Sequence, residues 1–275
     1  MENDNCLSLA ETQQVYLELM TELDRVCREN GLRYDLGGGS LLGAVRHGGF
    51  IPWDDDIDIN MPRPDYERLL AMQCGGTLKL PEHRELVSDR NGTFPRHFAR
   101  YVRHDVKRVA DMAEDWDCPY IGIDIFPIDG VPENDRKFRC QVWTIKQLRR
   151  FLLTSVEKPN TSRRGKLAAK IKNCYRPILR AIGPFRLAKM LDRVCAWMDY
   201  ETAEYVGGIS GMYGRKEKWK KEDMLPQTEV PFEGKKFLAV ANYAIYLSNL
   251  YGDYMALPPE DKRVPHCDRC IRVEV

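Results

Sequence analysis

The chain has 275 residues, of which 43% are hydrophobic and 30% are charged, and its formal net charge is +1. These values are typical of a globular protein and exclude a disordered chain, and we expect no nucleic-acid partner. No apolar run reaches the roughly 18 residues of a membrane span, and the polar N-terminus does not resemble a signal peptide. Nine scattered cysteines are typical of reduced thiols, so we expect a cytoplasmic protein.

Helices and strands alternate in the first half of the chain. Ser8 and Glu11 form a capping box, and apolar residues at helical spacing predict a helix that ends near Gly31. A strand over 32–36 leads into a glycine turn and a short helix that ends at Gly48. The other elements predicted are strands over 55–61, 97–104 and 120–129, the last of them central, a helix over 64–72, strands after residue 222, and a helix that ends at Gly252.

A basic segment covers residues 135–193, with 17 Lys or Arg against three acids. Apolar residues from Leu167 to Phe185 follow steps of three and four, which predicts an amphipathic helix interrupted at Pro177 and Pro184. One interpretation is a helix that packs by its apolar stripe and keeps its charges in water. The other is a surface that docks on anionic lipid or on a polyanionic acceptor.

An acidic cluster in "WDDDIDINM" places four aspartates within five positions. In a strand, Asp54, Asp56 and Asp58 share one face and Asp55 takes the other. Three carboxylates on one face provide the hard oxygen ligands that Mg²⁺ and Mn²⁺ prefer. We therefore predict a metal site at this strand.

A further acid stands in the apolar stretch "GIDIFPID". Asp124 lies between two isoleucines, where an aspartate is costly to bury without a charged partner. It could supply the acid from a neighbouring strand that two-metal catalysis needs. Asp129, just before Gly130, is better interpreted as a turn or cap residue.

A glycine turn precedes the acidic strand. Gly37, Gly38 and Gly39, followed by Ser40, let the backbone approach a ligand, and N–H groups at a helix N-terminus attract phosphate. The segment is neither a Walker loop nor a Rossmann fingerprint. A glycine–serine turn followed about fifteen residues later by Asp-x-Asp is similar to the nucleotidyltransferase superfamily. The resemblance implies an α/β fold with a polymerase-beta-like mixed sheet and added helices.

The stretch "YDLGGGSLLGAVRHGGFIPWDDDIDINMPRPDYERL" resembles the LicD family, whose best-known members transfer phosphocholine from CDP-choline to cell-surface glycans. The same block occurs in the fukutin-related ribitol-phosphate transferases. "GIDIFPIDGVP", "FEGKKF" and "YLSNLYGDYMALPPEDKRVPH" also resemble LicD proteins, so the similarity spans roughly 10–266. We interpret the whole chain, 1–275, as one LicD-type catalytic domain with a helical basic insertion at about 134–205.

The resemblance implies roles for individual residues. Asp56 and Asp58 would bridge Mg²⁺ or Mn²⁺, with Asp54 as an additional ligand. Asp124 would hold the metal that activates the acceptor hydroxyl and could accept its proton. The implied donor-binding residues are Gly38, Gly39, Ser40, Arg46, His47, Trp53 and His266. An ion pair is the alternative for Arg46 and His47, and packing is the alternative for His266. The aromatic candidates for a choline cage are Trp53, Trp116, Tyr120 and Phe126.

The implied reaction is the attack of a glycan hydroxyl on a CDP-linked donor, with nucleoside monophosphate as the leaving group. The acceptor would be a cell-surface glycan, such as lipopolysaccharide or a teichoic acid precursor, free or lipid-linked. A peripheral contact through 163–193 could bring the enzyme to the inner membrane face. The alternatives are the transfer of ribitol phosphate, glycerol phosphate or phosphoethanolamine, or a metal-free binding protein on the same fold.

Overall fold

The computed structural model describes residues 5–109, 118–156, 166–264 and 269–274. The strands, in chain order, are β1 (Cys6–Leu7), β2 (Asp35–Leu36), β3 (Asp58–Pro62), β4 (Arg84–Val87), β5 (Ala99–Val109), β6 (Tyr120–Val131), β7 (Tyr205–Gly207), β8 (Trp219–Lys220), β9 (Gln227–Phe232), β10 (Lys235–Val240) and β11 (Arg269–Arg272). The helices are α1 (Leu9–Glu29), α2 (Gly38–His47), α3 (Arg63–Cys74), α4 (Asp135–Val156), α5 (Lys166–Ile182), α6 (Pro184–Cys195), α7 (Lys221–Met224) and α8 (Tyr243–Tyr251).

A mixed sheet forms the centre of the fold, in the order β1-β11-β5-β6-β3-β2. β3 and β6 run parallel, whereas β6 is antiparallel to β5. β4 extends the sheet beside β5, and β7 pairs with the end of β6. β9 and β10 form a separate hairpin, whose turn residues Glu233 and Gly234 both have positive φ. The α/β class and the mixed sheet are confirmed, and β6 is central as predicted.

Most helix predictions are confirmed, because local signals set the helix ends. Ser8 and Glu11 make the capping box at the start of α1. Gly48 ends α2 in the left-handed region, at φ 71°. α3 buries Leu69 and Leu70, and α8 ends at Gly252.

The acidic strand is shorter than predicted. β3 begins only at Asp58, so residues 54–56 precede it as irregular chain. Adjacent carboxylates repel one another and lose hydration in a ladder, so an irregular path is cheaper for them. The prediction that strand alternation aligns Asp54, Asp56 and Asp58 is therefore wrong. β2 is also shorter than the predicted strand over 32–36.

The basic insertion forms three helices with a hydrophobic cluster of their own. α5 continues through Pro177, so the predicted interruption there is wrong, whereas Pro184 does begin α6. Leu179 is buried and Tyr175 packs on Phe151 of α4, which offsets the backbone hydrogen bond that Pro177 removes. None of the helices in the described part of the chain is long and apolar enough to cross a bilayer. The eight cysteines described are free thiols.

Candidate active site

Three charged residues form a row across neighbouring strands. Asp58 of β3 is the direct register partner of Asp124 of β6, and Asp124 is in turn the partner of Arg100 of β5. The Arg100 guanidinium donates to both Asp124 oxygens, through Nε to Oδ1 and through Nη2 to Oδ2 at 3.2 Å. The charged partner of the half-buried Asp124 is therefore Arg100, which the spacing of residues along the chain could not reveal.

The acids of the 54–58 stretch act on Asp58 even though only Asp58 is in the strand. Burial raises the pKa of Asp58 well above its ordinary value, and the charges of Asp56, Asp124 and Asp54 raise it further, while Arg100 opposes them. Among the residues described, no three His, Cys, Asp or Glu side chains stand close enough to hold a metal ion unaided. Mg²⁺ usually binds one or two carboxylates together with substrate phosphates and waters. The oxygen donor set and its mutual repulsion fit such a cation.

The glycine turn is bonded directly to the acidic strand. The Gly37 N–H donates to the Asp58 carbonyl at 2.9 Å, and the Asp58 N–H donates to Ser40 Oγ at 2.9 Å. Ser40 therefore positions Asp58 in this structure, a role that the phosphate interpretation did not include. Gly38, at φ 44°, starts α2, and its N–H donates to the Tyr246 hydroxyl at 3.0 Å. Gly39 leaves room for the Asp54 carboxylate, since a Cβ there would lie 2.9 Å from Asp54 Oδ2.

A cavity of about 300 Å³ opens where β3, β6 and the start of α2 meet. Asp58, Gly38 and the predicted aromatic Phe126 belong to its wall, together with side chains for which the sequence predicted no role. Those of the second group that bear on the chemistry are Arg96, His97, Phe98, Arg149, Met212, Tyr213, Glu217 and Tyr246. Arg149 comes from α4, so the basic insertion forms part of this cavity.

Two arginines, Arg96 and Arg149, and one histidine, His97, contribute polar groups to the cavity wall. Arg149 Nη1 donates to the Ser210 and Gly211 carbonyls at 3.2 and 2.8 Å, which fixes its guanidinium at the wall. Burial, followed by the charges of Arg149 and Arg96, lowers the pKa of His97 to about 3, so its imidazole is neutral. Neither ring nitrogen of His97 has a hydrogen-bond partner of normal geometry in the described residues. A bound polar ligand could therefore use it.

Glu217 is a buried carboxyl group in the same wall. Glycines at 208 and 211 make room for it, because a Cβ at either would lie 2.6 Å from a carboxylate oxygen of Glu217. Its Oε1 accepts the Tyr213 N–H at 3.1 Å. Burial raises the pKa of Glu217 to about 8, although two backbone N–H groups and the charge of Arg149 oppose the shift. At neutral pH this carboxyl group is mostly protonated.

Comparison with known proteins identifies the family. The model of the LicD/FKTN/FKRP nucleotidyltransferase domain matches residues 31–156. The lipopolysaccharide cholinephosphotransferase LicD of Haemophilus influenzae is 31% identical over 268 residues, which cover 94% of this chain and 96% of that protein. The chain belongs to the LicD family. This family membership makes it a transferase.

Shorter matches join the chain to other members of the group. The human ribitol 5-phosphate transferase FKRP is 47% identical over 51 residues, 18% of this chain and 10% of that protein. An uncharacterized protein of Rickettsia prowazekii is 44% identical over 48 residues, 18% of each chain. The LicD-family model includes Asp58, Arg100, Asp124 and Arg149, whereas Glu217 lies beyond the matched residues.

Three of the predicted donor-binding residues in this LicD-family chain lie at the far end of α2. Arg46 donates to His47 Nε2 at 2.9 Å and to the Tyr254 and Ala256 carbonyls at 3.0 and 3.1 Å. The Trp53 ring packs edge-on against His47, and Arg263 lies over it. A ten-residue helix is about 15 Å long, so this cluster is well separated from Gly38. Their donor-binding role stays a prediction.

The aromatic candidates also separate in space. Phe126 packs on Phe98 at 4.6 Å in the cavity wall, whereas Tyr120 packs on His104 at the opposite end of β6. Trp116 and His266 lie outside the described residues. Among the predicted aromatics that the structure describes, Phe126 is the one that lines the cavity with Asp58.

The interpretation of Asp129 as a turn or cap residue is wrong. Asp129 is instead the partner of an arginine in a buried ion pair. Asp129 lies within β6 and is buried against Arg63, with contacts of 2.6 Å to Nε and 3.0 Å to Nη2. Arg63 Nη1 also donates to Asp192 of α6 at 2.8 Å. This ion-pair network attaches the insertion to the sheet.

Proposed function

We propose that the chain transfers phosphocholine from CDP-choline to a hydroxyl group of a cell-surface glycan such as lipopolysaccharide, on a nucleotidyltransferase-type fold. The observation that carries the proposal is the row of Asp58, Asp124 and Arg100 across the sheet, of which Asp58 lines the cavity together with Gly37 and Gly38 of the glycine turn. Its support is the near full-length similarity to the Haemophilus influenzae cholinephosphotransferase. The short match to FKRP supports the broader class of phosphotransfer.

In this proposal the donor phosphates lie between the start of α2 and the two cavity arginines. The positive end of a helix dipole attracts phosphate oxygens, although the Gly38 N–H of α2 already donates to the Tyr246 hydroxyl. Arg96 and Arg149 supply guanidinium groups, which match phosphate oxygens in geometry and neutralise their charge. Neutral His97 offers the donor or the acceptor a hydrogen-bond partner that remains uncharged.

Asp58 and Asp124, with Asp54 and Asp56 nearby, would hold Mg²⁺ or Mn²⁺. The cation, when bound, supplies positive charge that polarises the phosphate and the attacking hydroxyl group. Arg100 holds both oxygens of Asp124 and so fixes the orientation of the carboxylate that would accept the hydroxyl proton. Ser40 and Gly37 fix the backbone of Asp58 in the same way.

The cavity wall favours choline over a polyol substituent. Phe98, Phe126 and Met212 are apolar, and the quaternary ammonium group of choline packs on aromatic faces. The buried carboxyl group of Glu217 adds a charge partner, because a cation beside a carboxyl group favours its ionised form. The hydroxyl groups of ribitol or glycerol would lose hydration against these apolar side chains.

A panel of CDP-linked donors tests the proposal. We expect CMP release from CDP-choline, and much less from CDP-ribitol, CDP-glycerol or CDP-ethanolamine, in the presence of a lipopolysaccharide acceptor. Chelator should abolish release, and Mg²⁺ or Mn²⁺ should restore it. Faster turnover of CDP-ribitol would reassign the donor. Donor binding without turnover of any compound, unchanged by chelator, would instead support the metal-free binding protein.

A further inference from the structure

The outer face of α5 is apolar and exposed. Ile171, Ile178 and Ile182 are 56%, 64% and 37% exposed. They are seven and four residues apart, so they lie one above another on a single stripe of the helix. Within the described residues the stripe is therefore left largely in solvent.

The flank of α5 beside the stripe is already packed against the insertion. Leu179 is buried, and Tyr175 contacts the ring of Phe151 on α4 at 6.1 Å between centroids. Arg180 Nε donates to the Ser155 carbonyl of α4 at 3.4 Å. Packing within the insertion consequently holds α5 with its isoleucine stripe towards solvent.

The charge around the stripe has one sign. Residues 166–195 contain a single acid, Asp192, and that carboxylate is turned inward to Arg63 at 2.8 Å and Arg90 at 2.9 Å. Among the described side chains, Arg180 is on the far side of α5 from the stripe, and the other exposed cations of α5 and α6 are Lys170, Arg186, Lys189 and Arg193. A helix with exposed apolar residues flanked by cations has the composition of one that lies in an anionic bilayer interface.

We propose that α5 docks on the surface of an anionic lipid bilayer, with Ile171, Ile178 and Ile182 entering the interface and the neighbouring cations facing the lipid phosphates. A soluble polyanion would satisfy the cations but would leave three isoleucines in water. The bilayer surface matches both the charge and the apolar stripe.

The position of α5 places the proposed docking surface close to the cavity. α5 packs along the end of α4, and α4 also supplies Arg149 and Leu153 to the cavity beside Asp58. A bilayer against α5 would therefore hold the protein next to acceptors that are carried on lipid. The binding itself is independent of the phosphocholine proposal and is measured without turnover.

Co-sedimentation of the full chain with vesicles tests the proposal. The vesicles contain equal parts phosphatidylglycerol and phosphatidylcholine, and the control vesicles contain phosphatidylcholine alone. We expect binding to the anionic vesicles at low salt and loss of binding at high salt. Each cation at such a surface strengthens partitioning about fivefold, so the double variant Lys170→Glu/Arg186→Glu should bind at least about 25-fold more weakly.

The isoleucine stripe is tested separately. The triple variant Ile171→Ser/Ile178→Ser/Ile182→Ser should bind at least about tenfold more weakly, because it removes apolar area that the interface would bury. The matched controls are Lys235→Glu/Lys236→Glu and Ile245→Ser/Leu257→Ser, which change exposed residues elsewhere and should bind as the unaltered chain does. Unchanged circular dichroism and unfolding transitions confirm that each variant folds.

The outcomes separate the bilayer from other partners. Absence of binding to the anionic vesicles at low salt would overturn the proposal. Loss in the charge variant with full binding in the isoleucine variant would also overturn it, since the surface would then accept any polyanion. Inorganic polyphosphate could also displace the protein from the vesicles. If it does so, and both control variants lose as much vesicle binding as the α5 variants do, the binding is non-specific and electrostatic, and the proposal is overturned.

Discussion

β6 carries two aspartates five residues apart, and they belong to regions with different electrostatics. In the row that begins at the cavity with Asp58, Asp124 pairs with Arg100, while burial and then the charges of the neighbouring acids raise the pKa of Asp58. At the junction with the insertion, Asp129 binds Arg63 through both oxygens, and Arg63 also binds Asp192. In the first region the carboxylates act on one another, whereas in the second each carboxylate contacts an arginine.

This difference indicates that the acids of the first region serve function and that the ion pairs of the second region serve stability. Clustered carboxylates that repel one another destabilise the fold and persist where a charged ligand relieves them. A buried ion pair contributes by keeping each charge compensated, and removal of one partner leaves the other stranded. Substitutions in the two regions should therefore have opposite effects on turnover and on the free energy of unfolding.

The largest expected effect is that of Asp58→Asn on turnover. The change keeps the shape of the side chain but removes the carboxylate that we propose to hold the cation, so we expect CMP release from CDP-choline to fall at least about 1,000-fold, or about 4 kcal/mol. The free energy of unfolding should stay equal or rise, because repulsion from Asp56 and Asp124 is relieved. Retained turnover, or a marked loss of stability, would remove Asp58 from the catalytic set.

The reverse pattern is expected for Asp129→Asn. Arg63 would lose its bidentate partner in a buried site, which should lower the free energy of unfolding by about 3 kcal/mol in denaturant titrations. Turnover per folded molecule should be nearly unchanged, since Asp129 is not part of the cavity wall. The matched control is Asp135→Asn, which breaks an exposed pair with Lys218 and should cost less than about 1 kcal/mol. Equal losses in the two variants would contradict the comparison.

Local sequence signals predicted those parts of the fold that neighbouring residues determine. The capping box at Ser8, the αL glycine at 48 and the apolar run of β6 each have a physical reason within a few residues, and each is confirmed. The acidic strand was predicted too long, because period-two alternation does not register the cost of placing adjacent acids in a ladder.

The cavity itself could be predicted only in part. Asp58, Asp124 and Gly38 belong to motifs; the structure places Asp58 and Gly38 in the cavity wall and pairs Asp58 with Asp124 in the sheet. Arg100 and Arg149 were not predicted, because their roles depend on strand register and on the packing of α4, which no short spacing encodes. The sequence did offer one signal for Arg100. It is a basic residue at the second position of β5, and β5 pairs with the apolar strand that carries Asp124.

A smaller effect is expected at Glu217, whose buried carboxyl group should make the free energy of unfolding depend on pH. The ordinary pKa of 4.5 is raised to about 8 in the fold. Between these values the unfolded chain releases the proton that the folded chain keeps, so the free energy of unfolding falls as pH rises. Glu217→Gln removes this dependence but keeps an oxygen to accept the Tyr213 N–H.

The measurement is the stability difference between Glu217→Gln and the unaltered chain as a function of pH. That difference should grow in favour of the variant by up to about 1.4 kcal/mol from about pH 6 to pH 7, and should level off above about pH 8. Exposed Glu222→Gln is the control and should give a curve parallel to that of the unaltered chain. A constant difference for Glu217→Gln over the same range would show that this carboxyl group ionises normally in the fold.

The smallest expected effect compares the two ends of α2. Gly38 and Gly48 have φ angles of 44° and 71°, so alanine at either position is strained and should cost about 1 kcal/mol of stability. Space does not distinguish them, because a Cβ at Gly38 would meet only the Tyr251 hydroxyl at 3.6 Å and a Cβ at Gly48 would meet nothing within 4 Å. Only Gly38 borders the cavity, so only Gly38→Ala should weaken CDP-choline binding, by about tenfold in calorimetry. Equal affinity in the two variants would mean that the donor phosphates do not approach the start of α2. The glycine turn would then have no role in phosphate binding and would act only through its hydrogen bonds with the Asp58 backbone.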